Sequence, residues 1–248
     1  MWIYIVDKKV VVLINVLWYN LGMEEIFKEF NVEITGEQAE KFDKYYRMIV
    51  ECNEKFNITA ITDKREVYVK HYVDSLLFKD ELKSGKLLDV GSGGGFPAIP
   101  LAIANEDLRV TMLEATEKKC EFLEKAAEEL NLFNVRVING RAEDLGKDLK
   151  FREEYDFCTA RAVARLNILC EYCMPFVRKD GYFAAFKGRA EEEISEAERA
   201  IKTLGGKIVA VKEAELEGAK RELILIKKIF STPEKYPRAN GRIRNNPL

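Results

Sequence analysis

The chain has 248 residues, of which 47% are hydrophobic and 33% are charged, and its formal net charge is −2. This length and composition are typical of a globular protein with one sizeable domain, and they exclude a disordered or fibrous chain. The nearly even charge balance gives no general attraction to nucleic acid, so such a partner would require a local basic surface.

The first 22 residues differ from the rest of the chain. An apolar run from Val10 to Tyr19 is too short to span a bilayer. It has no small-residue cleavage site, which argues against a secretory signal. An amphipathic pattern begins at Met23, so we interpret residues 1–22 as an extension that takes no part in the function. We expect a cytoplasmic monomer that does not bind a membrane.

The cysteines indicate a reducing compartment and no metal site. There are five of them, an odd number without the regular spacing of a disulfide framework. Cys170 and Cys173 form a C-x-x-C pair, but no second pair accompanies it and His71 is the only histidine. A zinc site would need further ligands of these types. We interpret both cysteines as small core residues.

Residues 23–84 are predicted to form a helical N-terminal region. Apolar side chains recur at three- and four-residue intervals over residues 37–56, which predicts an amphipathic helix. A second helix is predicted over residues 63–78, and it places His71 and Asp74 near each other on one surface.

From residue 85 the pattern alternates between strands and helices, which predicts one α/β domain over residues 85–230. The early strands are continuous apolar runs, as in a parallel sheet with helices on both faces. The last two strands lack a helix between them and should form a hairpin. The predicted fold is α/β, Rossmann-like, with a mostly parallel seven-stranded sheet and an antiparallel last strand, as in class I methyltransferases. Strands are predicted at 86–90, 109–114, 135–139, 155–160, 181–187, 207–216 and 221–229, and helices at 97–104, 117–131, 165–177 and 191–203.

The first strand leads into a glycine-rich turn, "DVGSGGGFP", that predicts a ligand site. Glycines let backbone N–H groups approach a ligand at the carboxyl end of a parallel strand. The dinucleotide fingerprint would need a glycine where Phe96 stands, and the Gly-Lys-Ser/Thr of a phosphate loop is absent. Asp89 suits a ligand with a cationic group, and S-adenosylmethionine satisfies these conditions. Candidate cofactor residues in this turn are Asp89, Gly91, Ser92, Gly93, Gly95 and Phe96.

The next strand ends supply further candidates. Glu114 ends the second strand, where an acid accepts hydrogen bonds from ribose hydroxyls. Ala142 and Glu143 follow the third strand, where adenine would lie, although Glu143 could equally be an acid at a helix start. Arg161 follows the fourth strand and could hold the cofactor carboxylate or a substrate phosphate.

Several motifs together resemble one family. "FNITAIT", "HYVDSLLF", "LLDVGSGGGFPAIPLAI", "ARAVA" and "FKGR" occur in the order found in the bacterial 16S ribosomal RNA guanine-N7 methyltransferases, also called glucose-inhibited division protein B. The resemblance covers residues 24–248. It implies an S-adenosylmethionine-dependent enzyme that methylates N7 of a guanine in 16S rRNA or the small ribosomal subunit. It also implies cofactor contacts at Gly91, Phe96, Glu114, Ala115, Thr116, Ala142, Glu143 and Arg161.

Methylation at N7 requires no general base, because this nitrogen already carries an in-plane lone pair. Alignment of the reacting atoms would then carry the catalysis, and the guanine must be unstacked to reach the site. His71 and Asp74 are the candidates for lining that pocket, unless they are a structural hydrogen-bonded pair. The cations of the strand ends and of the basic C-terminal tail, residues 231–248, are predicted to bind RNA: Arg165, Lys187, Arg189, Arg221, Lys235, Arg238, Arg242 and Arg244.

Two other functions remain open from the sequence. A nicotinamide-dependent oxidoreductase would need the third glycine and a proton donor, and neither is evident. A non-catalytic ribosome- or RNA-binding protein could be built on a methyltransferase scaffold. The intact turn with Asp89 and Glu114 argues against this second possibility without excluding it.

Overall fold

A computed structural model describes residues 24–248, so the predicted extension, residues 1–22, lies outside the described residues. Helix α1 covers residues 24–29, and α2 (Gly36–Asn53) begins at a capping box. The Oγ1 of Thr35 accepts from the backbone N–H of Gln38, and the Gln38 side chain accepts from the N–H of Thr35. These two bonds satisfy backbone donors that a helix start otherwise leaves unpaired.

The second predicted helix is not continuous α-helix. It consists of α3 (Lys64–Val67), a π-helical segment (Tyr68–Val73) and α4 (Asp74–Leu76). The backbone N–H of Asp74 reaches the carbonyl oxygen of Val69, five residues earlier. Such π-helical turns are rare and occur frequently at functional sites. Hydrophobic spacing does not distinguish them from α-helix, so the prediction of a regular helix over 63–78 was wrong in this detail.

A seven-stranded sheet follows, in the order β3-β2-β1-β4-β5-β7-β6. Strands β1 to β5 pair in parallel, and β7 is antiparallel to both of its neighbours, β5 and β6. The predicted class I methyltransferase architecture is therefore confirmed. The strands are β1 (Gly85–Val90), β2 (Leu108–Glu114), β3 (Val135–Asn139), β4 (Tyr155–Arg161), β5 (Val177–Lys187), β6 (Gly206–Leu216) and β7 (Ala219–Lys228).

The connecting helices lie close to their predicted positions. The largest difference concerns the predicted helix 165–177, which ends at Cys173 and continues as a 3₁₀ turn from Met174 to Phe176. Pro175 lies in that turn and has no N–H for the helical ladder. The helices of this part are α5 (Ala98–Ala104), α6 (Glu117–Glu129), α7 (Ala142–Leu145), α8 (Leu166–Cys173), α9 (Glu191–Thr203) and α10 (Asn240–Asn245).

Two apolar clusters, one on each side of the sheet, form the core. One joins α2 and the segment 64–76 to the sheet through buried rings such as Tyr45 and Tyr72. The other contains apolar side chains of α8, α9 and the C-terminal segment. Cys170 and Cys173 are buried in this second cluster. Within residues 24–248, no helix is both long and apolar enough to cross a bilayer.

The predicted basic tail, residues 231–248, packs against the domain instead of leaving it. Ile243 is fully buried and Tyr236 nearly so. The guanidinium of Arg238 donates to both carboxylate oxygens of Glu171, which is itself buried. Arg152 donates to the carbonyl oxygens of Tyr236 and Thr232. Composition alone showed the charges of this segment but not the partners that hold it in place.

Candidate active site

The glycine-rich turn lies between β1 and α5, at the carboxyl edge of the sheet. Gly91 and Gly95 have φ values of +72° and +90°, which L-residues rarely adopt. A Cβ on Gly91 would lie 2.8 Å from Val163 Cγ2, and one on Gly95 would lie 2.5 Å from the Tyr45 hydroxyl oxygen. The surrounding side chains therefore require glycine at both positions. Ser92 is buried and donates through its hydroxyl to the carbonyl oxygen of Asp89.

The carboxylate of Asp89, just before the turn, is only partly hydrogen-bonded. Its Oδ1 accepts from the Thr159 hydroxyl at 2.8 Å, whereas its Oδ2 is buried without a hydrogen-bond partner in the described part of the chain. Burial raises the pKa of Asp89 to about 6. An unpaired buried carboxylate oxygen costs free energy. A donor or cation on a bound ligand would remove that cost, so this feature fits the ammonium end of S-adenosylmethionine.

Glu114 joins the end of β2 to the same turn. Its Oε2 accepts from the backbone N–H of Gly93 at 3.0 Å, and its Oε1 accepts from that of Thr116 at 2.8 Å. Both bonds fix the direction of the carboxylate, which is only 7% exposed. Each oxygen retains acceptor capacity, so the carboxylate can still accept from a ribose diol.

A cavity of about 270 Å³ opens beside this carboxylate, and we call it the cofactor cavity. Gly91, Glu114 and Ala115 line one side of it, and Ala142 and Glu143 line another. The structure therefore brings together residues from three successive strand ends, as the sequence predicts for one ligand site.

Three lining residues come from helices that the sequence analysis did not assign to this site. Tyr172 of α8 and Asn240 and Arg244 of α10 also border the cofactor cavity. The Tyr172 hydroxyl donates to Asn240 Oδ1 at 2.6 Å, which holds α10 against α8. The sequence predicted RNA binding for Arg244 because of the charge of its segment. No local signal could show that the chain returns to this cavity after β7.

Arg161 lies in a polar network, which we define as Asp74, His71, Arg161 and Arg221. The Nη1 of Arg161 donates to Asp74 Oδ2 at 2.6 Å, and the Nε of Arg221 donates to Asp74 Oδ1. The side chains of Asp74 and Arg161 are only 12% and 14% exposed. The carboxylate of Asp74 thus fixes two guanidinium groups, one at the carboxyl end of β4 and one near the start of β7.

His71 belongs to the network as a neutral group. Burial, followed by the nearby charge of Arg161, lowers the pKa of His71 to about 4. Its Nδ1 lies 3.2 Å both from Arg161 Nη2 and from the carbonyl oxygen of Lys70. Its Nε2 lies 2.8 Å from the Thr59 hydroxyl oxygen. The imidazole also stacks on Phe96, with ring centroids 4.3 Å apart.

The polar network borders a second cavity of about 200 Å³, which we call the base cavity. Phe78 and Phe186 form an aromatic wall of this cavity. Glu222 contributes a buried carboxylate whose Oε2 has no hydrogen-bond partner among residues 24–248. The turn after β4 separates the two cavities, since Ala162 lines the base cavity and Val163 lines the cofactor cavity. Ala162 has a φ of +58°, a strained conformation of the kind that concentrates at functional sites.

The candidate RNA residues fall into two groups. Four are held in ion pairs within the chain, namely Arg165 with Glu196, Lys187 with Glu193, Arg221 with Asp74 and Arg238 with Glu171. Lys187 and Arg238 are largely buried in these pairs, so we do not retain them as RNA contacts. The other four, Arg189, Lys235, Arg242 and Arg244, are exposed.

Comparison with known proteins identifies one family to which this chain is similar. A family described as rRNA small subunit methyltransferase G matches residues 38–224. The chain is 45% identical over 226 residues to the Ribosomal RNA small subunit methyltransferase G of Lactobacillus acidophilus, covering 88% of this chain and 94% of the relative. It is 46% identical over 230 residues to the protein of that name from Thermoanaerobacter sp. strain X514, covering 89% and 95%.

Solved structures with low identity share the fold. A SAM dependent methyltransferase from Aquifex aeolicus is similar with a TM-score of 0.51 and 17% identity, covering 71% of this chain and 97% of that one. The YcgJ protein from Bacillus subtilis has a TM-score of 0.50 and 16% identity, covering 65% and 100%. These likenesses concern the architecture alone.

Proposed function

Because the chain belongs to the family of the rRNA small subunit methyltransferase G, we propose that it methylates N7 of a guanine in 16S rRNA. The chain is an S-adenosylmethionine-dependent methyltransferase by this membership. The observation that carries the proposal is the pair of cavities on either side of the turn after β4. One cavity suits the cofactor, and the other suits an unstacked base.

The cofactor residues have distinct proposed roles. Glu114 accepts from the ribose hydroxyls, and Ala142 with Glu143 borders the adenine. The unpaired Oδ2 of Asp89 faces the cationic end of the amino-acid moiety. Arg161 is kept as the candidate for holding the cofactor carboxylate, since its bonds to Asp74 and to the carbonyl oxygen of Lys70 use only part of its five N–H donors.

The base cavity is proposed to receive the guanine. S-adenosylmethionine supplies a methyl group on a positively charged sulfur, and the N7 lone pair needs no proton removed. The neutral His71 is therefore not required as a base, and it stacks on Phe96 behind Arg161, outside the lining of the base cavity. The polar network holds Arg161 and Arg221 in fixed positions beside the base. Fixed donors and rigid walls align the reacting atoms, which is the main source of catalysis here.

Exposed cations near this edge are proposed to contact the RNA around the target. Arg189 follows β5, and Lys235 and Arg242 belong to the C-terminal segment. We further propose a monomer that acts in the cytoplasm, since all five cysteines are free and a reducing compartment suits them. Light scattering of the purified protein tests the oligomeric state.

Transfer of labelled methyl groups tests the proposal. The purified protein is incubated with methyl-labelled S-adenosylmethionine and undermethylated small subunits, purified 16S rRNA or control tRNA, and the nucleosides are analysed. We expect 7-methylguanosine in the 16S rRNA or its subunit, and none in tRNA. Label in another nucleoside would contradict the N7 target. Cofactor binding without transfer to any RNA would favour a non-catalytic RNA-binding protein.

A further inference from the structure

A third cavity lies at the opposite edge of the sheet from the site above. It has a volume of about 430 Å³ and is lined at the amino ends of β1 to β4. Lys86 contributes from β1, Arg109 from β2 and Arg136 from β3, while Lys150 and Glu154 come from the segment before β4. We call it the basic cleft. Neither the cofactor nor the target base needs this edge of the sheet.

The basic cleft has four cations and one carboxylate among its lining residues. Arg136 is fixed by bonds of 2.9 Å to the Thr111 and Tyr155 hydroxyl oxygens, and Lys86 pairs with Glu154 at 3.4 Å. Arg109 and Lys150 are exposed, and neither side chain has a hydrogen-bond or ion-pair partner between residues 24 and 248. Uncompensated cations in a cleft attract an anionic ligand.

An aromatic ring projects at the same place. Phe133 lines the cleft and is 95% exposed, and Leu149, next to Lys150, is 83% exposed. A single exposed apolar side chain is ordinary at a protein surface, so the significance of Phe133 comes from its position among the cations of the basic cleft. An aromatic face among cations is the combination by which proteins bind single-stranded nucleic acid.

We propose that the basic cleft is a second RNA-binding site, in which Arg109 and Lys150 contact phosphates and Phe133 stacks on an unpaired base. The inference rests on the proposed rRNA substrate. The excess of cations favours RNA over a ribosomal protein as the occupant.

The position of the basic cleft predicts which RNA it contacts. Strand β1 has six residues, so about 20 Å of strand separates the cleft from the methyl-transfer edge, at roughly 3.3 Å per residue. A single nucleotide does not reach both edges, since one strand advances about 3.4 Å per nucleotide. The cleft therefore binds a second segment of the folded rRNA and contributes to recognition without touching the reacting atoms.

The test separates RNA binding from methyl transfer. Phe133→Ala and the double variant Arg109→Ala/Lys150→Ala are compared in full-length protein with two matched controls. Phe230→Ala removes another exposed ring, which is 72% exposed. Lys202→Ala/Lys207→Ala removes two exposed cations near β6, at the far side of the sheet. Dissociation constants for undermethylated subunits and for purified 16S rRNA are measured over a range of salt concentrations.

We expect Phe133→Ala to raise both dissociation constants about fivefold or more, as for the loss of one stacked base. The double variant should flatten the plot of log affinity against log salt by about 1.4, since each contact to a single strand contributes about 0.7. The kcat at saturating RNA and the cofactor affinity should not change. The control variants should behave as the wild type.

Three outcomes are decisive. If both cleft variants match their controls in affinity and salt slope, the cleft does not bind RNA. If binding to the subunit weakens while binding to purified 16S rRNA does not, the occupant is a ribosomal protein and the inference is wrong. If the wild type transfers no methyl group but the cleft variants still weaken RNA binding, the cleft is supported while the proposed reaction fails.

Discussion

The cofactor cavity and the polar network are adjacent, but the chain builds them in different ways. The cofactor cavity uses the turns that follow β1, β2 and β3, and nearby backbone N–H groups of Gly93 and Thr116 orient its carboxylate, Glu114. The polar network consists of side chains that are distant in sequence. Asp74 is separated from Arg161 by 87 residues and from Arg221 by 147.

This difference predicts different responses to substitution. A change in the cofactor cavity should alter cofactor affinity, because the residues that line it are proposed to contact the cofactor. A change in the polar network should alter the transfer step, because the network is proposed to fix groups beside the base. Substitutions that separate cofactor affinity from transfer rate therefore test whether the two regions have the functions proposed.

The largest expected effect is at Asp74. Asp74→Ala releases the guanidinium groups of Arg161 and Arg221, and a misplacement of about 1 Å can cost a hundredfold in rate. We expect kcat for methyl transfer to fall about a hundredfold, while the cofactor dissociation constant changes less than about threefold. Single-turnover transfer and calorimetric titration of the cofactor measure the two quantities.

Asp43 provides the matched control. It is buried and also bridges two cations, with Lys64 at 3.0 Å and Arg47 at 3.1 Å, but it lines neither cavity. Asp43→Ala should destabilise the fold without a specific loss of transfer. A cofactor affinity that fell as much as kcat in Asp74→Ala would show that the network belongs to the cofactor site.

The second effect concerns stability and pH at Asp89. Burial raises the pKa of this carboxyl to about 6, so the folded protein binds the proton more tightly than the unfolded chain does. Ionisation therefore destabilises the fold as the pH rises from about 4 to about 6, and above that the cost is constant. Asp89→Asn removes this cost.

We expect Asp89→Asn to increase the free energy of unfolding by up to about 3 kcal/mol at pH 7.5 and by about 1 kcal/mol at pH 4.5, from a shift of roughly two units at about 1.4 kcal/mol each. The gain is reduced by the amide hydrogens that the buried site must accommodate. Urea unfolding at both pH values measures it. The same substitution should weaken cofactor binding. Equal stabilities at pH 7.5 would mean that Asp89 Oδ2 is paired in the free protein.

These two residues also show how far the sequence was informative. Asp89 was found because it stands next to a glycine-rich turn at the end of an apolar strand, a pattern contained within a few residues. Asp74 was predicted as a pocket residue, but its bonds to Arg161 and Arg221 depend on the sheet order, which no local pattern encodes. The same limit applies to the C-terminal segment, whose charges were evident and whose contacts with Glu171 were not.

The third effect is a moderate loss of cofactor affinity at Glu114. Glu114→Gln keeps the shape but places an amide NH₂ group where a carboxylate oxygen now accepts from a backbone N–H. We expect the cofactor dissociation constant to rise about tenfold, as for the loss of one hydrogen bond to a charged group. Calorimetric titration measures it, with the exposed Glu117→Gln as control. A normal affinity in Glu114→Gln would exclude Glu114 as the ribose acceptor.

The smallest expected effect is at Arg244, and it tests whether α10 contributes to cofactor binding or to RNA binding. Arg244 borders the cofactor cavity, whereas Arg242, two residues earlier on the same helix, does not. If Arg244 contacts the cofactor, Arg244→Ala should raise the cofactor dissociation constant about threefold, within the range of a partly exposed polar contact. Arg242→Ala should leave this constant unchanged. If the charge of the segment determines its function, both variants should leave cofactor affinity unchanged and reduce the salt dependence of RNA binding equally. The first result would make the C-terminal segment a wall of the cofactor cavity, which is a function that its sequence alone does not reveal.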